Sequence, residues 1–248
     1  MMSCWRGQGG EKMRICIDAG HGGSDPGAVG NGLKEKDITL AISLKIAKKL
    51  SQYKNVEVVL TRNKDVYLPL SSVRTPQCDV SVSVHVNSGG GRGLETWTAL
   101  YNKAIESQKL GKLIHQNILK QIPFEDRGIK SKKSSAGNQD YLYMIRKPIG
   151  VPVLVECGFI DNSTDAGILK QESNLEKIAQ GIVNGIVQYT GIKEDDDDMT
   201  KIKILYNNKE FDGFIVDGTS YVEVRKLAEA LGLNVTWNAQ KNIVELKK

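Results

Sequence analysis

The sequence predicts an α/β fold with a mostly parallel central sheet flanked by helices, followed by a small α+β domain at the C-terminus. Two observations favour this class. Short apolar runs, which predict buried strands, take turns with longer stretches in which apolar residues recur at helical spacing. Strands and helices in that order pair their strands in parallel. A run of aspartates at residues 195–198 then separates this pattern from a different one.

Short apolar runs indicate where the strands lie. The run at residues 152–156 does not alternate with polar residues, so we expect a central strand that is covered on both faces. Residues 93–101 alternate in polarity, and we expect an edge strand there. Further strands are expected at residues 14–18, 56–61, 80–86 and 142–145.

Helical periodicity is clearest at residues 174–189, where apolar side chains mark one face and Gly191 closes the pattern. Weaker stripes predict helices at residues 37–51 and 104–121. Residues 125–139 are rich in Lys, Ser and Gly and show no periodicity, so we expect a mobile surface loop.

The pattern divides the chain into four parts. We expect an N-terminal extension at residues 1–12, a main domain at 13–192, an acidic linker at 193–198 and a small domain at 199–248. Adjacent aspartates in the linker repel one another and bury nothing. The small domain is predicted to contain two hairpins around a short helix, and a segment of this length holds only a marginal core.

Charge and composition exclude several classes of function. The net charge is +5, and residues 1–192 alone carry +7, which favours anionic partners. The sequence has no basic patches interleaved with aromatic residues, which argues against nucleic acid. It has no run of 18 apolar residues, so no membrane span is predicted. Residues 1–12 lack the apolar core of a secretory signal, and we expect synthesis in the cytoplasm without a signal peptide.

The cysteines Cys4, Cys16, Cys78 and Cys157 show no paired spacing. We therefore expect no disulfides, and we interpret Cys16 and Cys157 as small buried side chains. A nucleophilic role for Cys157 is the alternative.

Four polar side chains lie at the ends of predicted elements. His21 follows the first strand among glycines, His85 ends another strand, Glu156 ends the most apolar run, and Glu35 precedes a helix. Ligands bind at strand ends in α/β sheets, so these residues can converge. Two imidazoles and one carboxylate would form a zinc site with an open fourth position. The other carboxylate would then be free for proton transfer.

Each of these residues also has an ordinary interpretation. His21 alone would be a loop histidine, and His85 a satisfied core histidine. Glu35 alone would be a helix N-terminal carboxylate stabilised by the macrodipole, and Glu156 a member of a buried ion pair. For the chain to have no shared site, all four of these ordinary interpretations would have to be correct at once.

Five motifs in order carry a family resemblance over residues 13–192. They are the stretches around His21 (Asp-Ala-Gly-His-Gly-Gly), Glu35 (Lys-Glu-Lys), His85 (Ser-Val-His-Val-Asn), Glu95 (Gly-Leu-Glu-Thr) and Glu156 (Val-Leu-Val-Glu-Cys-Gly-Phe). Their order resembles that of the zinc-dependent N-acetylmuramoyl-L-alanine amidases of bacterial cell-wall hydrolases and phage endolysins. The resemblance implies a zinc exopeptidase-like fold that hydrolyses the amide between N-acetylmuramic acid and L-alanine in peptidoglycan, as an endolysin or autolysin.

The resemblance also implies roles for individual residues. His21, Glu35 and His85 become the Zn²⁺ ligands, and Glu156 carries the proton from water to the leaving amine. Two enzymatic or binding alternatives stay open: a zinc peptidase that acts on other peptides, and an inactive wall-binding protein.

Several other residues are weaker candidates. Asn87 lies on the same strand face as His85 and, with Arg62, is a candidate for substrate contact. Asp18 is expected to orient His21. Asp65 and Arg74 also fit the family pattern, although the segment from Arg74 to the His85 motif is shorter than usual. His115 matches no motif and is interpreted as a packing or surface residue.

The C-terminal domain, residues 199–248, resembles the copper amine oxidase N-terminal-like repeat. It contains no His or Cys, so copper binding is not implied. We expect it to attach the protein to the wall, with anionic wall polymers as possible ligands, or to form an oligomer.

Overall fold

The computed structural model describes residues 12–70, 77–147, 150–194, 200–216 and 218–248. The chain divides into two compact units, Met1–Glu194 and Asp195–Lys248. The predicted N-terminal extension as far as residue 11, most of the predicted linker, and Arg74 lie outside the described residues.

The first unit is built from eight strands and five helices within its described residues. In chain order they are β1 (Met13–Ala19), β2 (Val29–Gly30), β3 (Leu33–Lys34), α1 (Glu35–Leu50), β4 (Val56–Leu60), β5 (Val80–Asn87), β6 (Leu94–Thr98), α2 (Ala104–Leu119), β7 (Asp126–Lys130), α3 (Tyr143–Arg146), β8 (Val151–Phe159), α4 (Ser163–Leu169) and α5 (Glu172–Thr190).

A mostly parallel sheet forms the centre of this unit, as predicted. Within the described residues its strand order is β4-β1-β5-β8-β6-β7. Strands β4, β1, β5 and β8 pair with one another in parallel, in that order. Strand β6 pairs antiparallel with β8, and β7 pairs in parallel with β6. The carboxyl ends of β1, β5 and β8 and the amino end of β6 therefore meet at one edge of the sheet.

The two faces of the sheet differ in character. Val84 of β5 and Val155 of β8 belong to the main core, together with Ile42 of α1, Ile114 of α2 and Ile182 of α5. Helices α1, α2 and α5 thus pack against one face. Because neighbouring residues of a strand point in opposite directions, the side chains between these valines point to the other face.

The second face is more polar where it nears the carboxyl edge. Leu154 of β8 packs there with Ala99 and Ile145 in a smaller apolar cluster. Ser83 and His85 of β5 and Glu156 of β8 lie on the same face. This is the face that carries the site.

Three predictions for this unit were wrong in detail. The strand predicted at the edge for residues 93–101 is the interior strand β6, because β7 pairs with it on the outer side. Residues 125–139 were expected to be a loop, but they include β7, whose short and charged sequence shows no alternation. Residues 142–145 were expected to be a strand and instead contribute most of the single-turn helix α3.

Two local features were not predicted. Asn31 and Gly32, both at positive φ, form the turn of the β2–β3 hairpin, and an Asn-Gly pair is a strong signal for such a turn. Asn162 caps α4 by accepting hydrogen bonds from the backbone amides of Thr164 and Asp165.

The second unit contains, in its described residues, β9 (Thr200–Tyr206), β10 (Lys209–Val216), β11 (Thr219–Val222), α6 (Val224–Ala230), β12 (Asn234–Asn238) and β13 (Ile243–Lys247). Strands β9, β10 and β11 form an antiparallel sheet, and β12 pairs with β13. Among its described apolar residues, Phe211 and Ala228 are the buried ones. Its core is therefore small.

None of the helices in the described parts of the chain combines the length and apolar character that crossing a membrane requires.

Candidate metal centre

The carboxyl edge of the sheet gathers the residues singled out in the sequence. His21 lies two residues beyond the end of β1, His85 lies near the end of β5, and Glu156 lies in β8 directly opposite His85. Glu35 reaches the same place from the first turn of α1.

His21 is held in a left-handed backbone conformation, with φ of 62°. Backbone hydrogen bonds between Gly22 and Asp25 close the loop that follows. The Asp25 carboxylate lies 2.8 Å from Nδ1 of His21. With the ring in this orientation, Nε2 of His21 faces Oε2 of Glu35 at 3.2 Å. Such backbone strain occurs where the surrounding structure fixes a functional side chain.

Glu35 is the first residue of α1 and is buried. Its Oε2 accepts a hydrogen bond from the Ala28 amide, and its Oε1 accepts one from the Val86 amide. His85 Nδ1 lies 2.9 Å from the same Oε1. The helix N-terminus and these two amides favour the ionised carboxylate.

The side chains of His21, Glu35 and His85 form one cluster. One donor atom from each lies within 4.8 Å of the other two. The two imidazole rings meet edge to face with their centres 5.1 Å apart. Three residues that lie up to 64 positions apart in the sequence thus share one location.

Two glycines leave the space that this cluster needs. A Cβ atom at Gly20 would overlap the imidazole ring of His85. At Gly27, which has φ of 64°, a Cβ atom would lie 2.5 Å from Oε2 of Glu35. Any larger side chain at either position would have to displace a member of the cluster.

The cluster shifts the pKa values of its own members. The hydrogen bond to Glu35 raises the pKa of His21 to about 9, and Asp25 adds to this effect. Burial alone would lower the pKa of His85, but its hydrogen bond to Glu35 raises it. Burial alone would raise the pKa of Glu35, and the two imidazoles hold it well below its usual range. The site therefore attracts positive charge.

The donor set fits a divalent cation of the zinc type. Two imidazole nitrogens and one carboxylate are the ligands of catalytic zinc sites, which keep a fourth position open. The Asp25 carboxylate on the far nitrogen of His21 is the outer partner that such ligands commonly have. Among the described residues, Asp25 is thus a site residue that sequence reasoning missed.

Glu156 differs from the other carboxylates of the site. Its Oε2 is buried and has no hydrogen-bond partner among the described residues. Burial raises the pKa of Glu156 to about 7, and the negative charges of Glu35 and Glu95 act in the same direction. A carboxyl group in this state can accept or donate a proton near neutral pH.

Glu95 is a second residue of the site that the sequence reasoning left without a role. It lies in β6 directly opposite Glu156, so both side chains point to the same face. Its Oε1 accepts a hydrogen bond of 2.7 Å from Arg127 Nε, and its Oε2 accepts one from Asn87 Nδ2 at 3.2 Å. The predicted site residue Asn87 is therefore tied to Glu95.

Arg62 and Asp18 both form hydrogen bonds within the protein. Arg62 is 3% exposed, and its guanidinium donates to the carbonyl oxygens of Ala19, Gly20 and Lys36. It thereby joins the His21 loop to α1. The expectation that Asp18 orients His21 was wrong, because the Asp18 carboxylate accepts hydrogen bonds from Thr61 and Ser83.

Other candidates fall outside the cluster. Cys157 belongs to the main core on the opposite face from Glu156, and burial raises the pKa of its thiol far above its usual value. His115 is buried between Thr96 and Asp126, which agrees with a packing role. Asp65 forms an ion pair with Lys36.

A cavity of about 320 Å³ opens beside the two imidazoles. Its lining includes His21, His85, Tyr67, Leu142, Tyr143 and Leu154. In the described parts of the chain, no residue of β6 or β7 lines it. Its described lining comes from the ends of β1 and β4, from β5 and β8, and from the segments 67–70 and 142–144.

Comparison with known proteins agrees with the resemblance predicted from the motifs. Residues 15–188 match the family described as N-acetylmuramoyl-L-alanine amidase. Residues 203–248 match the family described as copper amine oxidase N-terminal domain.

Individual relatives support the first match. The sporulation-specific N-acetylmuramoyl-L-alanine amidase of Bacillus subtilis is 36% identical over 188 residues, covering 73% of this chain and 70% of the relative. The endolysin of Bacillus phage SPP1 is 36% identical over 219 residues, covering 81% of this chain and 78% of the relative. The solved catalytic domain of CwlV, an N-acetylmuramoyl-L-alanine amidase from Bacillus (Paenibacillus) polymyxa var. colistinus, has a TM-score of 0.63 at 33% identity. The similarity covers 73% of this chain and 99% of that domain.

Proposed function

The chain belongs to the N-acetylmuramoyl-L-alanine amidase family and is a peptidoglycan hydrolase, and from that premise we propose that residues 13–192 form a zinc-dependent catalytic domain. The bond that it cleaves joins the lactyl group of N-acetylmuramic acid to L-alanine of the stem peptide. The observation that carries this proposal is the cluster of His21, Glu35 and His85, with donor atoms within 4.8 Å of one another. In a bacterium or phage the protein would serve as an autolysin or endolysin.

His21, Glu35 and His85 would hold the zinc ion. When bound, zinc supplies Lewis acidity, which makes water a usable nucleophile near neutral pH and polarises the scissile carbonyl. The protein's own contribution is to fix the three ligands. Asp25 orients the His21 ring, two backbone amides orient Glu35, and Arg62 holds the His21 loop against α1.

Glu156 would carry the proton. Its carboxylate accepts a proton from the attacking water as the new C–O bond forms. The same carboxyl group then delivers that proton to the amide nitrogen as the C–N bond breaks, so L-alanine leaves as an amine. The buried Oε2 without a hydrogen-bond partner supports this role, because no described protein group competes for the proton there.

Mass spectrometry of digested peptidoglycan tests this function. Purified protein should release stem peptides that begin with a free L-alanine amine, and a chelator should stop the release until zinc is restored. Cleavage within the peptide, with the lactyl bond intact, would indicate a peptidase instead. Folded protein that binds wall but releases nothing would indicate an inactive binding protein.

The C-terminal unit has a separate proposed role. Its small core and the exposed side chains of Leu205, Trp237 and Leu246 indicate a surface that needs a partner. We assign residues 199–248 to attachment to the wall, through anionic polymers, or to oligomer formation. Deleting these residues should weaken sedimentation with purified walls or lower the number of chains per particle measured by light scattering. If both stay unchanged, the assignment fails.

A further inference from the structure

Arg127 lies at the end of a row of polar residues that crosses four strands. His85 of β5 is opposite Glu156 of β8, and Glu156 is opposite Glu95 of β6. Glu95 in turn accepts the hydrogen bond from Arg127 of β7. Strands lie about 4.8 Å apart, so Arg127 is about 10 Å from Glu156 along the sheet.

The guanidinium of Arg127 is held on two sides. Glu95, whose side chain is 7% exposed, fixes Nε at 2.7 Å. The ring of Phe159 lies under the guanidinium carbon, 4.9 Å from the ring centre. Held in this way, the planar guanidinium loses little conformational freedom when it binds a ligand.

Within the part of the chain that the structure describes, the other two nitrogens of this guanidinium have no protein partner. Among the hydrogen bonds and ion pairs of the described residues, Arg127 takes part only through Nε. Its side chain is 34% exposed. An arginine offers five N–H donors in a fork that matches a carboxylate, and the bond to Glu95 uses one of them.

The position of Glu156 indicates which end of the substrate passes Arg127. If Glu156 delivers the proton to the leaving nitrogen, as in the proposed function on which this inference rests, the leaving peptide lies on the Glu156 side of the two imidazoles. That side leads to Glu95 and Arg127. The cavity bordered by Tyr67 and Tyr143, which no described residue of β6 or β7 lines, is left for the acyl side with its sugar.

We propose that Arg127 binds the first free carboxylate of the stem peptide after L-alanine, and so makes the enzyme selective for peptidoglycan whose second residue is not amidated. Two residues of extended peptide span about 7 Å. Together with the reach of the arginine side chain, this length brings a carboxylate on the second residue to the open edge of the guanidinium.

Two synthetic substrates test this inference directly. They are N-acetylmuramoyl-L-alanyl-D-glutamate compounds whose γ-carboxyl group is blocked as an amide and whose α-carboxyl group is either free or converted to the carboxamide. The wild-type enzyme should show kcat/KM about tenfold higher on the free carboxylate, the lower range expected for a charge-assisted hydrogen bond. Equal rates on both substrates would overturn the inference and leave the proposed function intact. Hydrolysis of neither would refute the proposed function and the inference with it.

Variants separate recognition from a structural role. Arg127→Gln should lower kcat/KM about tenfold on the carboxylate substrate and change it less than twofold on the carboxamide. Arg127→Lys, which keeps the charge and loses the fork, should show an intermediate preference. An equal fall on both substrates would mean that the ion pair with Glu95 is only structural.

A matched control is present at the opposite end of the sheet. Arg14 of β1 forms the same kind of ion pair with Glu57 of β4, at 2.9 Å. Arg14→Gln removes an arginine from a cross-strand carboxylate pair near the amino ends of these strands. It should keep the wild-type preference for the free carboxylate, and loss of that preference in this variant would contradict the assignment to Arg127.

Discussion

His85 and Glu156 are register partners on the neighbouring parallel strands β5 and β8, and their side chains point to the same face of the sheet. Nδ1 of His85 lies 2.9 Å from Oε1 of Glu35, whereas Oε2 of Glu156 has no hydrogen-bond partner among the described residues. One side chain of the pair is therefore engaged with Glu35 in the cluster, and the other has no described hydrogen-bond partner at its Oε2. This division allows metal binding and proton transfer to be tested separately.

Glu156→Gln should retain zinc and lose hydrolysis. The amide keeps the shape of the side chain but cannot accept the proton, and general acid–base catalysis is worth about 10² to 10⁴-fold in rate. Metal content by mass spectrometry and the rate of muramyl-peptide hydrolysis measure the two properties. A variant that hydrolyses its substrate at the wild-type rate would remove Glu156 from the mechanism.

His21→Ala and His85→Ala should each lose zinc and activity together, because each removes one of three ligands. His115→Gln is the matched control, since His115 is buried between Thr96 and Asp126 and not in the cluster. It should bind one zinc ion per chain and remain active. Zinc lost from the control, or kept by both ligand variants, would contradict the ligand set.

Asp25→Asn should weaken zinc binding without abolishing it. The carboxylate lies 2.8 Å from His21 Nδ1, and loss of such an outer partner typically costs about 10 to 100-fold in metal affinity. Competition with a chelator of known affinity measures the change. Asp126→Asn, which alters the carboxylate beside the non-ligand His115, should leave zinc affinity as it was.

The metal-free protein should lose stability as pH rises from about 6.5 to about 9. The pKa of His21 is raised to about 9 from its ordinary value of 6.5, so its ionic contact with Glu35 stabilises the fold fully below pH 6.5 and fades above it. Zinc must displace that proton. Its apparent affinity should therefore rise with pH across the same interval, by up to about tenfold per pH unit for one released proton.

Thermal unfolding of chelator-treated protein and zinc titrations at several pH values check this prediction. A zinc affinity that does not change between pH 6.5 and 9 would show that His21 is not protonated in the metal-free cluster.

Most of the fold could be predicted from the pattern of apolar residues in the sequence. Strand β8 and helix α5 were predictable because their apolar side chains are numerous and regular enough to specify one period. Strand β7 was not, since Ile129 is the one large apolar side chain among its five residues and Gly128 interrupts them, so that only pairing with β6 makes them a strand. The residues of a short segment do not show whether it pairs with a strand that is distant in the sequence.

The clustering of His21, Glu35 and His85 was predictable because metal chemistry restricts the residue types and strand ends restrict their positions. Asp25 and Arg127 were not, since each acts through a contact that depends on the folded chain: Asp25 with His21 across a tight loop, and Arg127 with Glu95 across two strands. The Asn31-Gly32 turn that delivers Glu35 could have been recognised from its dipeptide alone.

The central claim is that one zinc ion is shared by His21, Glu35 and His85. Anomalous X-ray scattering from crystals of the zinc-loaded protein, recorded on both sides of the zinc absorption edge, tests it most directly. We predict one strong peak per chain, within about 2.0–2.2 Å of a nitrogen of each histidine and an oxygen of Glu35. A peak elsewhere, or one that touches fewer than all three side chains, would contradict the account.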